Sequence, residues 1–131
     1  METEKVCVNL PAAELGKIDL LIAQGLFSSR TDVIRSGIRE VIQQHSAEMM
    51  SLVSGWSPRI GYQYLGKKEL EGAKKSKTRL QLVVVGVLRI DDRITPALAD
   101  ETIERIRIFG SVRGPKRVVE RLGPRIVRGL E

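Results

Sequence analysis

Residues 4–11 read EKVCVNLP, and this stretch decides the fold of the first part of the chain. Polar and apolar side chains alternate with a period of two over residues 4–10, which is typical of a strand with one buried face. The apolar face consists of Val6, Val8 and Leu10, and the polar face of Lys5, Cys7 and Asn9. Pro11 has no N–H to donate to a sheet, so the strand ends there, and proline suits the first turn of a helix.

Two amphipathic helices are predicted directly after this strand. Over residues 12–24 the apolar side chains recur at helical spacing, and Gly25 is a natural stop just past the end. A second helix begins at Ser29, whose hydroxyl can cap the amide of Asp32 three residues later. Its apolar stripe continues for about five turns, as far as Met49.

Residues 1–53 therefore form a predicted strand-helix-helix unit, which ends where SGWSP at residues 54–58 breaks the helical pattern. So small a unit cannot bury all of its apolar surface alone, and a single strand does not remain unpaired. Two copies that pair strand to strand solve both problems. The sequence thus predicts a homodimer.

The positive charge of the chain is concentrated in its second part. The 131 residues carry a net charge of +6, with 22 Lys and Arg against 16 Asp and Glu. Residues 1–50 contain five basic and seven acidic residues, a net of −2, so the remaining residues, with seventeen and nine, carry +8. Such a balance indicates an anionic partner such as nucleic acid. Aromatic residues make up only 4% of the chain, which argues against a stacking platform for single strands.

Composition also excludes several classes of protein. One cysteine, Cys7, and one histidine, His45, cannot build a disulfide or an intrachain zinc or iron–sulfur centre, so neither a metal nor a cofactor is expected. A Gly-rich phosphate loop and a serine-centred catalytic motif are both missing from the sequence, so an enzyme is not expected. No apolar run reaches the ~18 residues of a membrane span. The first residues lack a signal-peptide pattern, so a cytoplasmic location is expected.

The second part of the chain is predicted as a linker followed by an α/β module. Residues 54–78 are assigned as a basic polar linker, with a phosphate-tracking arm as the alternative. Residues 79–131 form the module. Its first strand, 80–90, is continuously apolar and resembles a strand covered on both faces. A helix opens at Thr95-Pro96 and extends to about Arg105.

A weak internal repeat marks the module. Residues 84–89, VVGVLR, align with residues 108–113, IFGSVR, at a shift of 24 positions. In each copy a proline then precedes a helical stretch, the second of which covers residues 116–122. A strand-helix unit of ~20–29 residues is the size of a solenoid repeat, although chance similarity between two strand-helix segments is an open alternative.

The N-terminal motifs resemble the ribbon-helix-helix family of DNA-binding regulators over roughly residues 4–46. The matching stretches are KVCVNLP at 5–11, GLFSSRTD at 25–32 and VIRSGIRE at 33–40. In that family two chains pair their strands into an antiparallel ribbon that lies in the DNA major groove. The resemblance implies base contacts by Lys5, Cys7 and Asn9, and phosphate contacts by Ser28, Ser29, Arg30 and Thr31. The family's nickel-responsive branch needs histidines after position 45, which this chain lacks.

The sequence thus predicts an α+β protein: an N-terminal ribbon-helix-helix unit followed by a small β-α-β-α module. The expected function is that of a sequence-specific regulator of transcription, a repressor, which binds double-stranded DNA as a homodimer. The module is expected to join dimers into tetramers or larger assemblies. Two alternatives stay open. One is an antitoxin whose C-terminal part binds a toxin, and the other is a scaffold protein built on the module.

Overall fold

The computed structural model describes residues 3–130, which divide into two compact units, 3–52 and 53–130. The chain is a mixed helical and stranded protein. The first unit holds the helices α1 (Ala12–Ala23) and α2 (Arg30–Gln44) and most of α3 (Ser46–Val53). The second unit alternates strands and helices, in the order β1 (Arg59–Leu65), α4 (Lys67–Lys75), β2 (Leu80–Ile90), α5 (Pro96–Thr102), β3 (Ile103–Arg113), α6 (Lys116–Leu122) and β4 (Ile126–Arg128).

The end of α1 confirms the stop predicted at Gly25. This glycine has a φ of +77°, a region that residues with a Cβ avoid. Its N–H donates to the carbonyl of Ile22 at 3.0 Å, and the N–H of Leu26 donates to the carbonyl of Leu21 at 3.2 Å. These two bonds form a Schellman motif, which satisfies carbonyls that the helix end would otherwise leave unpaired.

The predicted long second helix is two helices that meet at His45. The backbone of His45 leaves helical geometry (φ −105°, ψ 14°), and α3 begins at the next residue. The N–H of Met49 still donates to the carbonyl of His45 at 3.0 Å, and the His45 ring lies 2.9 Å from the Glu48 carboxylate. The interruption is therefore a local bend with its own side-chain contact.

Residues 3–11 form neither helix nor strand in the single chain, where the predicted strand 4–10 has no neighbour to pair with. The helices α1 and α2 likewise have no buried residue. Large apolar side chains stay open to solvent, among them Val6 (80% exposed), Ile38 (53%) and Val41 (56%). The first unit thus does not cover its own apolar surface.

The second unit is a four-stranded, all-parallel sheet with the strand order β1-β2-β3-β4. Each connection is a helix, and α5 packs between α4 and α6, which places all three on one side. The core lies between sheet and helices. Its fully buried aliphatic side chains include Leu65, Leu70, Leu88, Ile90, Ile103, Ile106 and Leu122. The strand 80–90 and the helix 116–122 have the predicted bounds, whereas α5 ends at Thr102, three residues early.

The prediction of a linker over residues 54–78 is wrong. This segment contains β1 and α4, and Leu65, Leu70 and Ala73 are buried in the core of the second unit. The lysine-rich sequence of α4 conceals its helical pattern. Only two apolar side chains of this helix, Leu70 and Ala73, are buried, and they lie three residues apart. The second unit therefore begins near residue 53 instead of residue 79.

The internal repeat is confirmed as a structural repeat. Val84 to Arg89 of β2 pair residue by residue with Ile108 to Arg113 of β3, in the same alignment as in the sequence. The strand β1 adds a third copy, since Gly61 pairs with Gly86 and Gly86 pairs with Gly110. These three glycines form a row across the sheet, and all have a positive φ (+100°, +136° and +135°).

The turn after β2 is held by a buried carboxylate. Asp91 is 4% exposed and accepts from the backbone N–H of Arg93 at 2.9 Å and from its guanidinium at 2.8 Å. These bonds, together with one from the Tyr64 hydroxyl, hold the pKa of Asp91 far below its usual value. A group with a lowered pKa in the folded state stabilises the fold above its unfolded pKa, and this contribution is lost as the pH falls.

We expect Asp91→Asn to lower the melting temperature of the second unit by several degrees at pH 7, because the amide cannot replace the ion pair. The difference from the parent should shrink as the pH falls below about 4, where the unfolded carboxyl takes up a proton. Fluorescence of Trp56, the single tryptophan, reports the transition. Asp92→Asn is the control, because Asp92 is exposed and forms an ion pair with Arg89 at 2.9 Å. A constant difference from pH 7 to pH 3 would contradict this prediction.

Candidate nucleic-acid interface

Residues 3–11, which precede α1, are all exposed. Lys5, Cys7 and Asn9 are exposed, and Cys7 is a free thiol. The alternate residues Val6 and Val8 are also exposed, at 80% and 70%. Apolar side chains this exposed are unfavourable in water, and the first unit itself leaves this apolar side of the segment uncovered.

An apolar groove lies where this segment meets the two helices. It is lined by Leu10, Ile18, Val33, Ile34, Gly37, Ile38, Val41 and Ile42. All of these residues belong to the first unit, and none of them carries a polar side chain. A cradle of this composition suits the apolar side chains of another protein segment, and nothing in it provides a site for catalysis or for a polar ligand.

The start of α2 confirms the predicted cap and adds a second contact. The hydroxyl of Ser29 accepts from the backbone N–H of Asp32 at 3.1 Å. The Asp32 carboxylate in turn accepts from the backbone N–H of Ser28 at 3.0 Å and from its hydroxyl at 3.1 Å. These bonds, and the positive charge of Arg39, lower the pKa of Asp32. Ser28, Ser29 and Asp32 thus form one rigid corner.

The structure brings Arg30 to α1 instead of leaving it beside the serines. Its Nε and one terminal nitrogen donate to the two carboxylate oxygens of Asp19, each at 2.9 Å. This bidentate pair lowers the pKa of Asp19 and raises that of Arg30. Asp19 lies eleven residues before Arg30, a separation that local sequence patterns do not relate, so sequence reasoning missed the pair. Arg30 therefore ties α2 to α1.

The first turn of α2 also contains backbone donors that have no acceptor within the helix. A helix leaves its first N–H groups without an acceptor inside the helix. In α2 the N–H of Asp32 is used by Ser29, and that of Val33 donates to the carbonyl of Ser29 at 3.1 Å. The N–H groups of Arg30 and Thr31 precede these two, and both residues are exposed. The site can thus attract an anion through backbone dipoles as well as side chains.

A basic surface lies on α4, within the segment for which the sequence predicts a linker or a phosphate-tracking arm. Lys68, Lys74 and Lys75 are exposed on this helix. Lys74 lies 3.4 Å from Glu101, and Lys67 lies 3.8 Å from Glu71. These contacts make the surface an ordered helix with partly neutralised charge, unlike a flexible arm.

Within residues 3–130, no three metal-binding side chains lie close enough together to hold an ion. No helix in the same range is long and apolar enough to cross a membrane.

Together the exposed alternating segment, the apolar groove and the capped start of α2 define the features of a DNA-binding regulator. Residues 1–119 match the Ribbon-Helix-Helix transcriptional regulator family. The chain belongs to this family, and it is accordingly a regulator of transcription and not an enzyme.

One curated relative supports the same assignment. The chain is 30% identical over 43 residues to the protein named transcriptional regulator CdrS, from Halobacterium salinarum. The aligned stretch makes up 33% of this chain and 78% of the relative. The similarity therefore covers most of the relative but only a third of this chain. No solved structure matches the chain.

Proposed function

We propose that this chain is a sequence-specific repressor of transcription that binds double-stranded DNA as a homodimer. Residues 4–10 of two copies would pair as an antiparallel ribbon that enters the major groove. The observation that carries the proposal is the exposed alternation of Val6 and Val8 with Lys5, Cys7 and Asn9 beside an unfilled apolar groove. The strand of a second copy would pair with the backbone N–H and C=O groups of residues 4–10, and the helices of that copy would fill the groove.

The polar side of the ribbon would then read the bases. Lysine donates to the guanine acceptors, and asparagine pairs with the adenine edge through two hydrogen bonds. Cys7 lies between them and contributes a small, weakly polar contact. A dimer that fills the major groove excludes other proteins from the same DNA, which is the physical basis for repression.

The start of α2 would hold the DNA backbone on either side of the ribbon. The proposed phosphate contacts are Ser28, Ser29, Arg30 and Thr31. Because the Arg30 guanidinium is held by Asp19, we assign the main role to the backbone N–H groups of Arg30 and Thr31 and to the Thr31 hydroxyl. Ser28 and Ser29 would act through the corner they form with Asp32.

Asn9→Ala tests the assignment of base contacts. We expect binding to the preferred site to weaken by ~1–3 kcal/mol, or roughly 5- to 150-fold, with little change on random DNA. The preferred site is first obtained by binding-site selection, and affinities are then measured by fluorescence anisotropy at one salt concentration. Gln43→Ala is the control, since it removes an exposed amide late in α2. An equal loss on both DNAs would rule out Asn9 as a base reader.

The second unit is proposed to join dimers, so that tetramers or larger assemblies bind adjacent sites cooperatively. The observation in favour is that residues 53–130 have their own buried core and an all-parallel sheet with one face that the helices of the same unit leave uncovered. An antitoxin commonly gives its toxin a tail that is disordered alone. The ordered core of this unit favours a role in assembly over a role as an antitoxin. The other alternative is a scaffold protein, whose second unit would assemble without DNA.

A further inference from the structure

One face of the parallel sheet is not covered by the helices of the second unit, α4, α5 and α6. The open face is defined here as the side that carries Val83, Val85 and Val87 together with the residues paired with them in the other strands. The alternate residues of β2, such as Val84 and Leu88, are buried under the helices. On the open face the three valines are only partly buried, and Ile60 and Tyr62 of β1 are 59% and 46% exposed.

The strand register arranges the open face in rows. One row across the sheet is Ile60, Val85 and Phe109, and the next is Tyr62, Val87 and Ser111. These central rows contain no charge. The charged rows lie toward the ends of the strands, where Arg89 pairs with Arg113, and Val83 pairs with Arg107. The face thus has an apolar centre and a polar rim, which is the usual arrangement of a protein–protein interface.

The composition of the open face also differs from that of the helical side. Of the five aromatic residues in the chain, Tyr62, Tyr64 and Phe109 lie on this face, and Trp56 stacks on Phe109 with the ring centres 6.1 Å apart. The Arg107 guanidinium lies 4.8 Å from the centre of the Trp56 ring. The four strands contain no lysine, whereas α4 alone contains four. Interfaces are enriched in aromatic residues and arginine and depleted in lysine.

We infer that the open face binds the open face of a second copy of this chain, so that two parallel sheets stack into a sandwich. Parallel sheets are almost always covered on both faces, and a flat surface centred on valine and isoleucine fits another sheet. This inference rests on the proposed assembly of dimers and names the surface that performs it.

The size of the face fits a contact between tethered copies. With strands ~4.8 Å apart and ~3.3 Å per residue, the three strands β1, β2 and β3 over the seven residues paired with β1 cover roughly 330 Å² per copy. The pair would bury about 660 Å² in total, well below the ~1,200 Å² of most stable interfaces. One such contact is therefore weak. Each dimer carries two open faces, and two dimers that join through both gain from the high effective concentration of the second contact.

Cross-linking of the full chain tests the inference. In a Cys7→Ser background, Val85→Cys places a thiol at the centre of the open face, and Val119→Cys places one on α6, on the helical side. We expect Val85→Cys to form covalent pairs under mild oxidation at least tenfold faster than Val119→Cys. Equal rates would overturn the inference.

Mass measurements with the parent Cys7 add a second readout. By light scattering, the intact chain and Val119→Glu should be tetramers, and Val85→Glu should be a dimer that still binds a single DNA site. A Val85→Glu tetramer would overturn the inference. If the intact chain did not bind a single DNA site, the proposed function would be overturned instead. If Val85→Glu left the mass unchanged but abolished binding to a single-stranded oligonucleotide, the face would belong to nucleic acid, and the inference would also fail.

Discussion

Gly110→Ala should unfold the second unit under conditions in which the parent chain is stable. Gly110 has a φ of +135°, and a Cβ built there would overlap the backbone carbonyl of Gly86. A residue held at such a φ costs about 1–3 kcal/mol, and the overlap with a neighbouring strand adds about 1–3 kcal/mol. We expect a loss of about 3 kcal/mol or more in urea unfolding followed by Trp56 fluorescence, which reports on this unit alone.

Two further glycines give this prediction a graded control. Gly61 also has a positive φ, but nothing lies within 4 Å of its added Cβ, so Gly61→Ala should cost less than Gly110→Ala. Gly72 lies inside α4 with open space around it, so Gly72→Ala should raise stability by up to ~1 kcal/mol. If Gly110→Ala and Gly72→Ala had the same unfolding midpoint, the glycine row would have no structural role.

Ile38→Asp should abolish both dimerisation and DNA binding. Ile38 lines the apolar groove of the first unit and is 53% exposed in the single chain. If a second copy fills this groove, the new carboxylate is buried without a partner, which costs several kcal/mol. We expect a monomeric first unit and a loss of more than about 100-fold in affinity for the preferred site, equivalent to at least about 2.7 kcal/mol.

Leu20→Asp is the matched control for this variant. Leu20 is an aliphatic residue of α1 that is 63% exposed and lies outside the groove. Light scattering and anisotropy should show the mass of the parent and near-parent affinity for Leu20→Asp. The melting temperature of the first unit, followed by circular dichroism, should also rise with protein concentration in the parent and not in Ile38→Asp. An Ile38→Asp chain that kept the mass of the parent and its affinity for DNA would disprove the role of the groove.

Local patterns in the sequence predicted those elements whose signals lie within a few residues. The cap at Ser29, the stop at Gly25 and the Thr95-Pro96 start of α5 all act through bonds that span three to five residues. The repeat was also readable, because stacked strand-helix units place equivalent residues at a fixed spacing. A third glycine, Gly61, 25 positions before Gly86, was the signal that would have revealed β1 within the supposed linker.

Other features depend on residues that only folding brings together. The ion pair with Asp19 engages the guanidinium of Arg30, for which the sequence predicts a contact with DNA phosphate. The pair joins α1 and α2, and the spacing of residues within each helix does not define how the two helices lie against each other. The helix α4 was concealed because its core contact consists of only two side chains, Leu70 and Ala73, among lysines. In both cases tertiary packing outweighed the local pattern.

The sequence by itself determined α1, the capped start of α2, the strand β2, the helix α6, the repeat and the resemblance to the regulator family, since these depend on short-range periodicity and on capping bonds between near neighbours. The tertiary structure alone decided that residues 59–75 belong to the second unit and that the three glycines align across the sheet. It also decided that one face of that sheet is left open. The physical reason is that strand register and burial are properties of pairs far apart in the chain, and no single segment carries that information.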